Sequence, residues 1–404
     1  MPLQGKHILV GISGGIAAYK MPELIRSLVK AGAEVRVTTT RNALQFVTEL
    51  TLQTVSGSRV YSDVFAAINE HSTEHISLPD WCDVMLVAPA TANVLGKMAS
   101  GIADDALTTT FCSCAARKPI VLAPAMNDKM WECPATQQAV QTLRSWDNVR
   151  VLEPAEGQLA CGVVGKGRMP EIEVLQEAIE YALTPRTMVG KKVLITAGAT
   201  QEQIDPVRFI SNYSTGKMGV ALAQACARRG AQVTLVHGAM SQVVLAPFGT
   251  IRCVQALSAQ AMYEACVAEW PKADTAILCA AVADFTPAER AEQKIKKDDL
   301  KTANSLTLSL KETKDIARAL GESKRADQQL IGFALETNNE KENALHKMQR
   351  KSLDAIVLNS LRDAGAGFGT ETNRVTILRA AGNSVELPLQ SKASIAEGIL
   401  DALI

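Results

Sequence analysis

Aromatic side chains are scarce in this sequence, at 4% of its residues, which argues against a surface of stacking rings for single-stranded nucleic acid. The formal net charge is zero, with 42 basic and 42 acidic residues. Bulk electrostatics therefore provides no general attraction to nucleic acid or to an anionic membrane. No apolar run approaches the roughly 18 residues that a membrane-spanning helix needs. We predict neither a nucleic acid nor a membrane as partner.

The cysteines follow no regular spacing. There are nine, an odd number, which favours reduced thiols in a cytoplasmic protein. Cys112 and Cys114 form a Cys-x-Cys pair without the second pair of ligands that a zinc site needs, so we interpret both as small buried hydrophobes. The N-terminus is polar and leads directly into Ile8-Leu9-Val10, which is typical of a first strand and not of a signal peptide.

An internal echo indicates two domains. Residues 5–15 read GKHILVGISGG and residues 190–200 read GKKVLITAGAT, and each is followed by a helical stretch and a second strand. With 404 residues, of which 47% are apolar, the chain can build two cores. We therefore predict an α/β protein of two tandem Rossmann-like, flavodoxin-like three-layer domains with mostly parallel sheets, at residues 1–189 and 190–404.

Short apolar runs locate further elements. They predict buried strands at 84–88, 120–123, 276–281, 330–333 and 356–358, and a helix at 220–229. Residues 374–378 and 384–387 flank Gly382-Asn383, which predicts an antiparallel hairpin whose second strand ends before Pro388. The spacing of apolar residues predicts a last helix over 391–404.

In the first half, the loop after the first strand has the small residues that let backbone amides approach an anion. It lacks the Gly-x-Gly-x-x-Gly spacing, and the second strand ends in threonines rather than in a carboxylate for a ribose. This loop therefore suits a cofactor with a single phosphate, such as FMN, better than the dinucleotide NAD.

Further candidates follow later strands, at residues 88–93 and 124–131, because the carboxyl ends of parallel strands bind ligands. We interpret Met130 and Trp131 as core residues. His75 stands alone. Cys161 lies in a glycine-rich stretch, residues 157–169, which predicts a mobile flap carrying a thiol that can act as an acid.

Together these residues resemble the flavin-dependent cysteine decarboxylases, over residues 5–180. The marks are residues 13–20, His75, Pro124-Ala125-Met126-Asn127 and Ala160-Cys161-Gly162. The resemblance implies an FMN-dependent decarboxylation in which His75 assists the oxidative half-reaction, Asn127 holds the substrate carboxylate and Cys161 supplies a proton. It implies an FMN site formed by Ser13, Gly14, Gly15, Ile16, Thr40, Thr91 and Asn93.

In the second half, residues 198–219 form a long polar loop before the helix. Gly216-Lys217 is not a P-loop, because Met218 stands where Ser or Thr is required. Lys294 and its neighbours up to residue 297 lie in a polar stretch that predicts an exposed lid. Lys347 and Lys351 are four residues apart on a predicted helix and share a face.

This half resembles the phosphopantothenate–cysteine ligases, over residues 190–400. The marks are residues 205–208, 211–219, 280–284, 294–297 and 332–337. The resemblance implies a CTP- and Mg²⁺-dependent ligation through an acyl-cytidylate, without identifying the magnesium ligands. Asn212 would hold the acyl intermediate. CTP would be bound by Asp284, Lys294, Asp315, Ile316, Phe333, Lys347 and Lys351.

The order of the halves matches that of a bifunctional bacterial family of coenzyme A biosynthesis, whose substrates are phosphopantothenate, cysteine, CTP and phosphopantothenoylcysteine. The family implies trimeric decarboxylase contacts and dimeric ligase contacts, which together could build a dodecamer. Three positions depart from the ligase pattern: Ala199, Gln201 and Lys314.

Two alternatives remain. A nicotinamide-dependent reductase would explain the paired domain starts, but not Cys161 on a flap. A regulatory protein that reuses the decarboxylase fold would not need Cys161, His75, Asn127 and Lys294 together.

Overall fold

The structure, a computed structural model, describes residues 3–65, 74–158, 162, 164–296, 306–336, 338–360, 365–380 and 382–404. The chain divides into two compact units, residues 1–184 and 185–404. Each unit is built around a large sheet whose strands are mostly or entirely parallel. This architecture confirms the predicted fold class.

Unit 1 has a six-stranded sheet with the strand order β3-β2-β1-β4-β5-β6, in which every neighbouring pair is parallel. A separate antiparallel hairpin, β7–β8, follows it. The strands are β1 (His7–Ile12), β2 (Glu34–Thr39), β3 (Val60–Tyr61), β4 (Val84–Ala90), β5 (Ile120–Pro124), β6 (Val149–Val151), β7 (Ala155–Gln158) and β8 (Val164–Arg168).

The helices of unit 1 are α1 (Met21–Lys30), α2 (Glu49–Ser56), α3 (Glu74–Trp81), α4 (Ala92–Ser100), α5 (Ala106–Ala115), α6 (Asp128–Glu132), α7 (Pro134–Arg144) and α8 (Ile172–Leu183), with 3₁₀ turns at Ile16–Lys20 and Ala43–Gln45. The central strands β4 and β5 are buried along their whole length. Such continuous apolar runs are what a parallel sheet covered on both faces requires.

Unit 2 has an eight-stranded sheet with the order β13-β12-β9-β14-β17-β18-β19-β20, of which the last two pairings are antiparallel. Two small ribbons, β10–β11 and β15–β16, stand apart from it. The strands are β9 (Lys192–Ala197), β10 (Gln201–Gln203), β11 (Phe209–Ser211), β12 (Gln232–His237), β13 (Thr250–Gln255), β14 (Thr275–Leu278), β15 (Phe285–Pro287), β16 (Leu310–Glu312), β17 (Gln329–Glu336), β18 (Ala355–Ser360), β19 (Thr372–Arg379) and β20 (Ser384–Ser391).

The helices of unit 2 are α9 (Lys217–Arg228), α10 (Ala259–Glu269), α11 (Ile316–Glu322), α12 (Glu340–Arg350) and α13 (Lys392–Leu403), with a 3₁₀ turn at Trp270–Lys272. Successive side chains of a strand point to opposite faces of the sheet. Val193 and Ile195 accordingly belong to the core shared with α9 and α13, whereas Leu194 packs in the core shared with α10, α11 and α12.

Two expectations about local structure were wrong. Strand β20 continues through Pro388, because a proline at a sheet edge needs no ladder hydrogen bond; the β19–β20 register is irregular at this point. Cys114 is buried but Cys112 is exposed. Both lie on α5, where residues two apart are separated by about 200° around the helix axis, so they cannot share a buried face.

Among the residues that the structure describes, no helix combines the length and the apolarity of a membrane span.

The close packing of α9 on β9 generates a stability prediction. A Cβ at Gly219 would lie 2.5 Å from the Cβ of Ala197 and 3.0 Å from the carbonyl oxygen of Thr196. We expect Gly219→Ala to lower the free energy of unfolding by about 1–3 kcal/mol through overpacking. The control is Gly96→Ala in α4, where nothing lies within 4 Å and the gain in helix propensity should stabilise by roughly 0.5–1 kcal/mol. Urea unfolding should give a lower free energy of unfolding for Gly219→Ala than for the wild type, and a higher one for Gly96→Ala.

Candidate functional sites

A cavity of about 1180 Å³ opens in unit 1 where the strand order reverses, between β1 and β4. Open α/β sheets bind ligands at this switch point, outside the carboxyl ends of the strands. The cavity exceeds the roughly 300–1,000 Å³ of a typical small-ligand pocket, so it has room for more than one small molecule. Its lining includes seven residues that the sequence predicted at or beside an FMN site: Gly14, Gly15, Ile16, Thr40, Thr91, Asn93 and Asn127.

Ser13 does not line this cavity. Its side chain is fully buried, and its hydroxyl donates to the carbonyl of Pro89 at 2.7 Å. The same oxygen accepts the backbone N–H of Thr91 at 3.1 Å. Ser13 therefore fixes the turn after β1 against the segment that ends β4, and so sets the width of the switch point.

The two glycines of this turn allow its backbone to pack closely against neighbouring residues. A Cβ at Gly14 would lie 2.5 Å from the Cβ of Asn42, and one at Gly15 would lie 3.3 Å from a methyl carbon of Thr91. The buried hydroxyls of Thr38 and Thr39, on opposite faces of β2, have no hydrogen-bond partner among the described residues. Neither residue lines the cavity, whose wall at this strand begins at Thr40.

Two of the lining residues begin helices. The hydroxyl of Thr91 accepts the N–H of Val94 at 3.4 Å and caps α4. The side-chain oxygen of Asn127 accepts the N–H of Lys129 at 3.0 Å and caps α6. Capping holds both side chains at the N-termini of their helices, where a ligand in the cavity can reach them.

His75 and Cys161 are not brought to the cavity by the described residues. His75 is half-buried on α3 and is absent from the cavity lining. Cys161 lies outside the described residues. The hairpin that carries it is docked, however, because Met126 donates its N–H to the carbonyl of Gly167 at 2.9 Å. A Cβ at Gly167 would lie 2.2 Å from the carbonyl oxygen of Met126, so only glycine permits this approach.

The charged side chains that line the cavity are mostly cationic: Lys20, Arg41, Lys97 and Arg168, against Asp105. Glu171 bridges two of them, since its carboxylate oxygens lie 3.0 Å from Lys20 Nζ and 3.0 Å from Arg168 Nη2. One carboxylate for two cations leaves a net positive rim, which suits anionic ligands.

Unit 2 has a second cavity, of about 490 Å³, beside the switch point between β9 and β14. Six of the residues predicted to bind CTP line it: Asp284, Asp315, Ile316, Phe333, Lys347 and Lys351. They come from four separate segments of the chain, so their convergence is a result of folding. Lys294 is exposed and does not line this cavity.

Hydrogen bonds hold the polar residues of this cavity in place. Asp315 caps α11 by accepting the N–H of Arg318 at 3.1 Å, and its carboxylate lies 2.9 Å from Lys351 Nζ. Burial alone would raise the pKa of Asp315, but the Lys351 ammonium and the Arg318 N–H outweigh it and hold that pKa below its usual range. Lys347 donates to the carbonyl of Phe333 at 3.2 Å.

Asn212 lies beside the cavity. Its side-chain amide donates to the carbonyl of Ala281 at 3.2 Å, between Ala280 and Val282, which both line the cavity. The loop after β9 is joined to the same segment, since Ala281 donates its N–H to the carbonyl of Gly198 at 2.9 Å. Asn212 is thereby placed at the switch point of unit 2.

The three departures from the ligase pattern lie in different surroundings. Ala199 is buried and Gln201 begins β10, and neither lines the cavity. Lys314 does line it, with its ammonium 4.8 Å from the ring centroid of Tyr263. Only the third departure therefore changes the cavity surface, by adding a cation held over an aromatic face.

Several lining residues were not predicted. Arg41 and Asn42 directly follow Thr40, and the end of β2 would have suggested them. Met130 was predicted to be core, which is wrong: it is 48% exposed and lines the first cavity, whereas the adjacent Trp131 is buried as expected. Among the described residues there is no group of three or more His, Cys, Asp or Glu side chains that could hold a metal ion.

The Asp315–Lys351 pair generates a prediction about pKa. We expect Lys351→Met to raise the pKa of Asp315, because burial would then be opposed only by the weaker remaining interactions. The ion pair stabilises the fold above the ordinary aspartate pKa, and that contribution is lost as pH falls through the lowered pKa. An NMR titration of the Asp315 carboxyl carbon measures the shift. Lys341→Met, on the same helix α12, is the control, and an equal shift in both variants would contradict the assignment.

Family models match both units. The model described as DNA/pantothenate metabolism flavoprotein C-terminal domain matches residues 188–404, and the model described as Flavoprotein matches residues 1–184. A solved structure, the C-terminal domain of a coenzyme A biosynthesis bifunctional protein CoaBC, is 38% identical, covers 54% of this chain and 96% of its own, and has a TM-score of 0.45.

Two curated relatives span most of the chain. The coenzyme A biosynthesis bifunctional protein CoaBC of Bacillus subtilis (strain 168) is 45% identical over 404 residues, which are 99% of this chain and 97% of the relative. A cysteine/cysteine sulfinic acid decarboxylase from an unknown prokaryotic organism is 46% identical over 364 residues, or 89% of this chain and 99% of the relative. The family predicted from the sequence is confirmed, and the chain belongs to the bifunctional CoaBC family of coenzyme A biosynthesis proteins.

Proposed function

We propose that unit 2 joins cysteine to 4'-phosphopantothenate at the expense of CTP, and that unit 1 decarboxylates the resulting 4'-phosphopantothenoylcysteine to 4'-phosphopantetheine. One observation carries the proposal. In each unit, residues implied by the resemblance and separated along the chain converge on one cavity at the switch point of the sheet.

The ligation takes place in two steps at the second cavity. A carboxylate oxygen of phosphopantothenate attacks the α-phosphorus of CTP, the bond to the β-phosphate oxygen breaks, and pyrophosphate leaves. The amine nitrogen of cysteine then attacks the acyl carbon, CMP leaves, and the amide forms with loss of a proton. Lys347 and Lys351 stabilise the phosphate charge that moves during transfer. Asn212 holds the acyl intermediate, and Asp284 and Phe333 contact the nucleoside.

Magnesium belongs to the nucleotide in this proposal. Mg²⁺ is usually held by one or two carboxylates together with substrate phosphates, and not by a cage of protein ligands. Glu312 lines the second cavity and supplies a carboxylate of that kind.

The first cavity fits FMN in two respects. Gly14 and Gly15, in the small-residue turn after β1, line it, and a turn of this kind lets an anion approach the backbone. The lining is net positive. Gly14, Gly15, Ile16, Thr40, Thr91 and Asn93 would hold the cofactor, with Ser13 keeping the turn in place.

When bound, FMN supplies two-electron redox chemistry at the cysteinyl group. The residues of the chain orient the substrate and move protons. Asn127, fixed as the cap of α6, holds the substrate carboxylate that leaves as carbon dioxide. Cys161, on the hairpin docked to Met126, supplies a proton to the product. His75 assists the oxidative half-reaction.

The remaining parts of the proposal concern the setting of the enzyme. The eight cysteines that the structure describes are all free, which supports a cytoplasmic location. Trimeric contacts for unit 1 and dimeric contacts for unit 2 are proposed on the family resemblance.

A second candidate is favoured by one relative. Because the cysteine/cysteine sulfinic acid decarboxylase is 46% identical over 89% of this chain, unit 1 could act on free cysteine or its sulfinate. The volume of the first cavity favours the larger substrate. The ratio of kcat/KM for phosphopantothenoylcysteine and for cysteine decides between the two.

The decisive experiment is a coupled assay of the purified protein. With phosphopantothenate, cysteine, Mg²⁺ and CTP, we expect pyrophosphate and carbon dioxide in equal amounts, with phosphopantetheine as product. The visible spectrum of the protein should show oxidised flavin. Carbon dioxide that appears only when phosphopantothenoylcysteine is supplied, without pyrophosphate, would reject the ligase and keep the decarboxylase. A colourless protein that releases neither product would reject both activities and favour a regulatory role.

Two variants test the roles of the proposed residues and serve as controls for each other. Cys161→Ser should still allow substrate to bleach the flavin but should release little finished aminothiol, because the proton donor is lost. Asn212→Asp should slow pyrophosphate release by about 10²-fold or more, because a carboxylate cannot hold the anionic intermediate as an amide does. Each variant should leave the other activity intact. Normal product release by Cys161→Ser would contradict its role.

A further inference from the structure

One buried carboxylate in unit 2 has no part in the chemistry above. Asp205 lies in the turn between β10 and β11 and is 1% exposed. Its Oδ1 accepts the N–H groups of Val207 and Arg208, both at 2.8 Å. Its Oδ2 accepts Arg208 Nε at 2.9 Å and the backbone N–H of Ile295 at 3.2 Å. The last of these bonds joins residues 90 positions apart and is not needed to form the turn.

Arg208 binds the other backbone group of Ile295. Its Nε and Nη2 both donate to Asp205 Oδ2, and Nη2 also donates to the carbonyl of Ile295 at 2.8 Å. Both backbone groups of Ile295 are therefore bound by one ion pair. A second bond holds the segment nearby, since Ala291 donates its N–H to the carbonyl of Ile204 at 3.0 Å.

The charge on Asp205 is permanent under working conditions. Its hydrogen bonds, above all those from Arg208, hold the pKa of this carboxyl far below its usual range. The guanidinium is always charged. Only the carboxylate of this pair is buried, since the Arg208 side chain is 41% exposed. Burying a carboxylate costs desolvation energy, so the pair is weak evidence for stability alone. A positioning role is the better account of a pair that binds a distant backbone segment.

The bound residue directly follows an exposed lysine. Lys294 precedes Ile295, and its side chain projects from the polar segment that leaves β15. The residue before β15 is Asp284, which lines the second cavity. Because the backbone of Ile295 is fixed, the ammonium of the neighbouring Lys294 can move only as far as its own side chain allows.

We propose that Asp205 is a positioning residue of the ligase: together with Arg208 it anchors the backbone at Ile295 and so delivers Lys294 to the polyphosphate of the nucleotide. The proposal rests on the proposed ligase function of unit 2. Its physical basis is that ordering the segment in advance removes an entropy cost that nucleotide binding would otherwise carry.

The experiment is a double-mutant cycle on the full-length holoprotein. Asp205→Asn keeps the shape of the side chain but turns an amide donor toward the donors of Arg208. We expect it to lower kcat/KM for CTP, followed by pyrophosphate release, by at least about tenfold. In the background of Lys294→Met, the same substitution should cause less than about twofold further loss, because coupled residues are not additive.

A second variant removes the contact from its other side. Ile295→Pro deletes the N–H that Asp205 accepts but leaves the Asp205–Arg208 pair in place. It should reproduce the loss seen with Asp205→Asn, and it should likewise add little to Lys294→Met.

The control is Asp274→Asn, which removes another carboxylate of unit 2 that accepts a backbone N–H, that of Lys192 at 2.7 Å. It should leave kcat/KM for CTP unchanged. The proposal is overturned if Asp205→Asn has no effect, or if it causes the same fold loss with and without Lys294. A wild-type protein that releases no pyrophosphate would instead overturn the ligase function itself.

Discussion

Both units depend on one kind of contact, in which the turn after the first strand is hydrogen-bonded to the segment that follows the neighbouring strand across the switch point. In unit 1 the buried hydroxyl of Ser13 joins Pro89 and Thr91. In unit 2 backbone groups do the same work, with Gly198 and Thr200 bonded to Ala281. A parallel sheet diverges at this place, and without such a contact the crevice would have no fixed width. These bonds hold residues at or beside the cavities, since Thr91 lines the first and Ala281 lies between Ala280 and Val282, which line the second.

The two cavities share a position but differ in how charge is arranged. In unit 1 the lining cations outnumber the single lining carboxylate, and Glu171 holds Lys20 and Arg168 from outside the cavity. In unit 2 three lysines and three carboxylates line a smaller space, and Lys351 is already paired with Asp315. The first arrangement suits ligands that stay anionic throughout. The second suits a reaction in which phosphate charge moves and a metal ion accompanies it.

The positions of several residues at the first cavity could be predicted from the sequence, because parallel strands bring their carboxyl ends to one edge of the sheet. Thr40, Thr91 and Asn127 each follow a strand, so strand positions alone placed them near one another. The role of Ser13 could not be predicted, since its partner Pro89 is 76 residues away and nothing local specifies that bond.

Other features depend on which face of a helix is covered. Met130 and Trp131 are adjacent in α6, and the packing of that helix buries only the second. For Cys112 and Cys114 the helical period was itself sufficient to predict opposite faces. The anchoring of Ile295 by Asp205 joins a local turn to a segment 90 residues away, and only the folded chain reveals it.

Three residues at the cavities, Thr91, Asn127 and Asp315, use their side-chain oxygens to begin helices. On the function proposed above, folding and ligand binding draw on the same atoms at these positions. A substitution that weakens ligand binding there also removes a helix cap, which lowers stability by about 0.5–2 kcal/mol and raises the unfolded fraction exposed to proteolysis. The cavity can therefore acquire new substrates most readily at residues such as Lys314, which line it without starting any element of the fold.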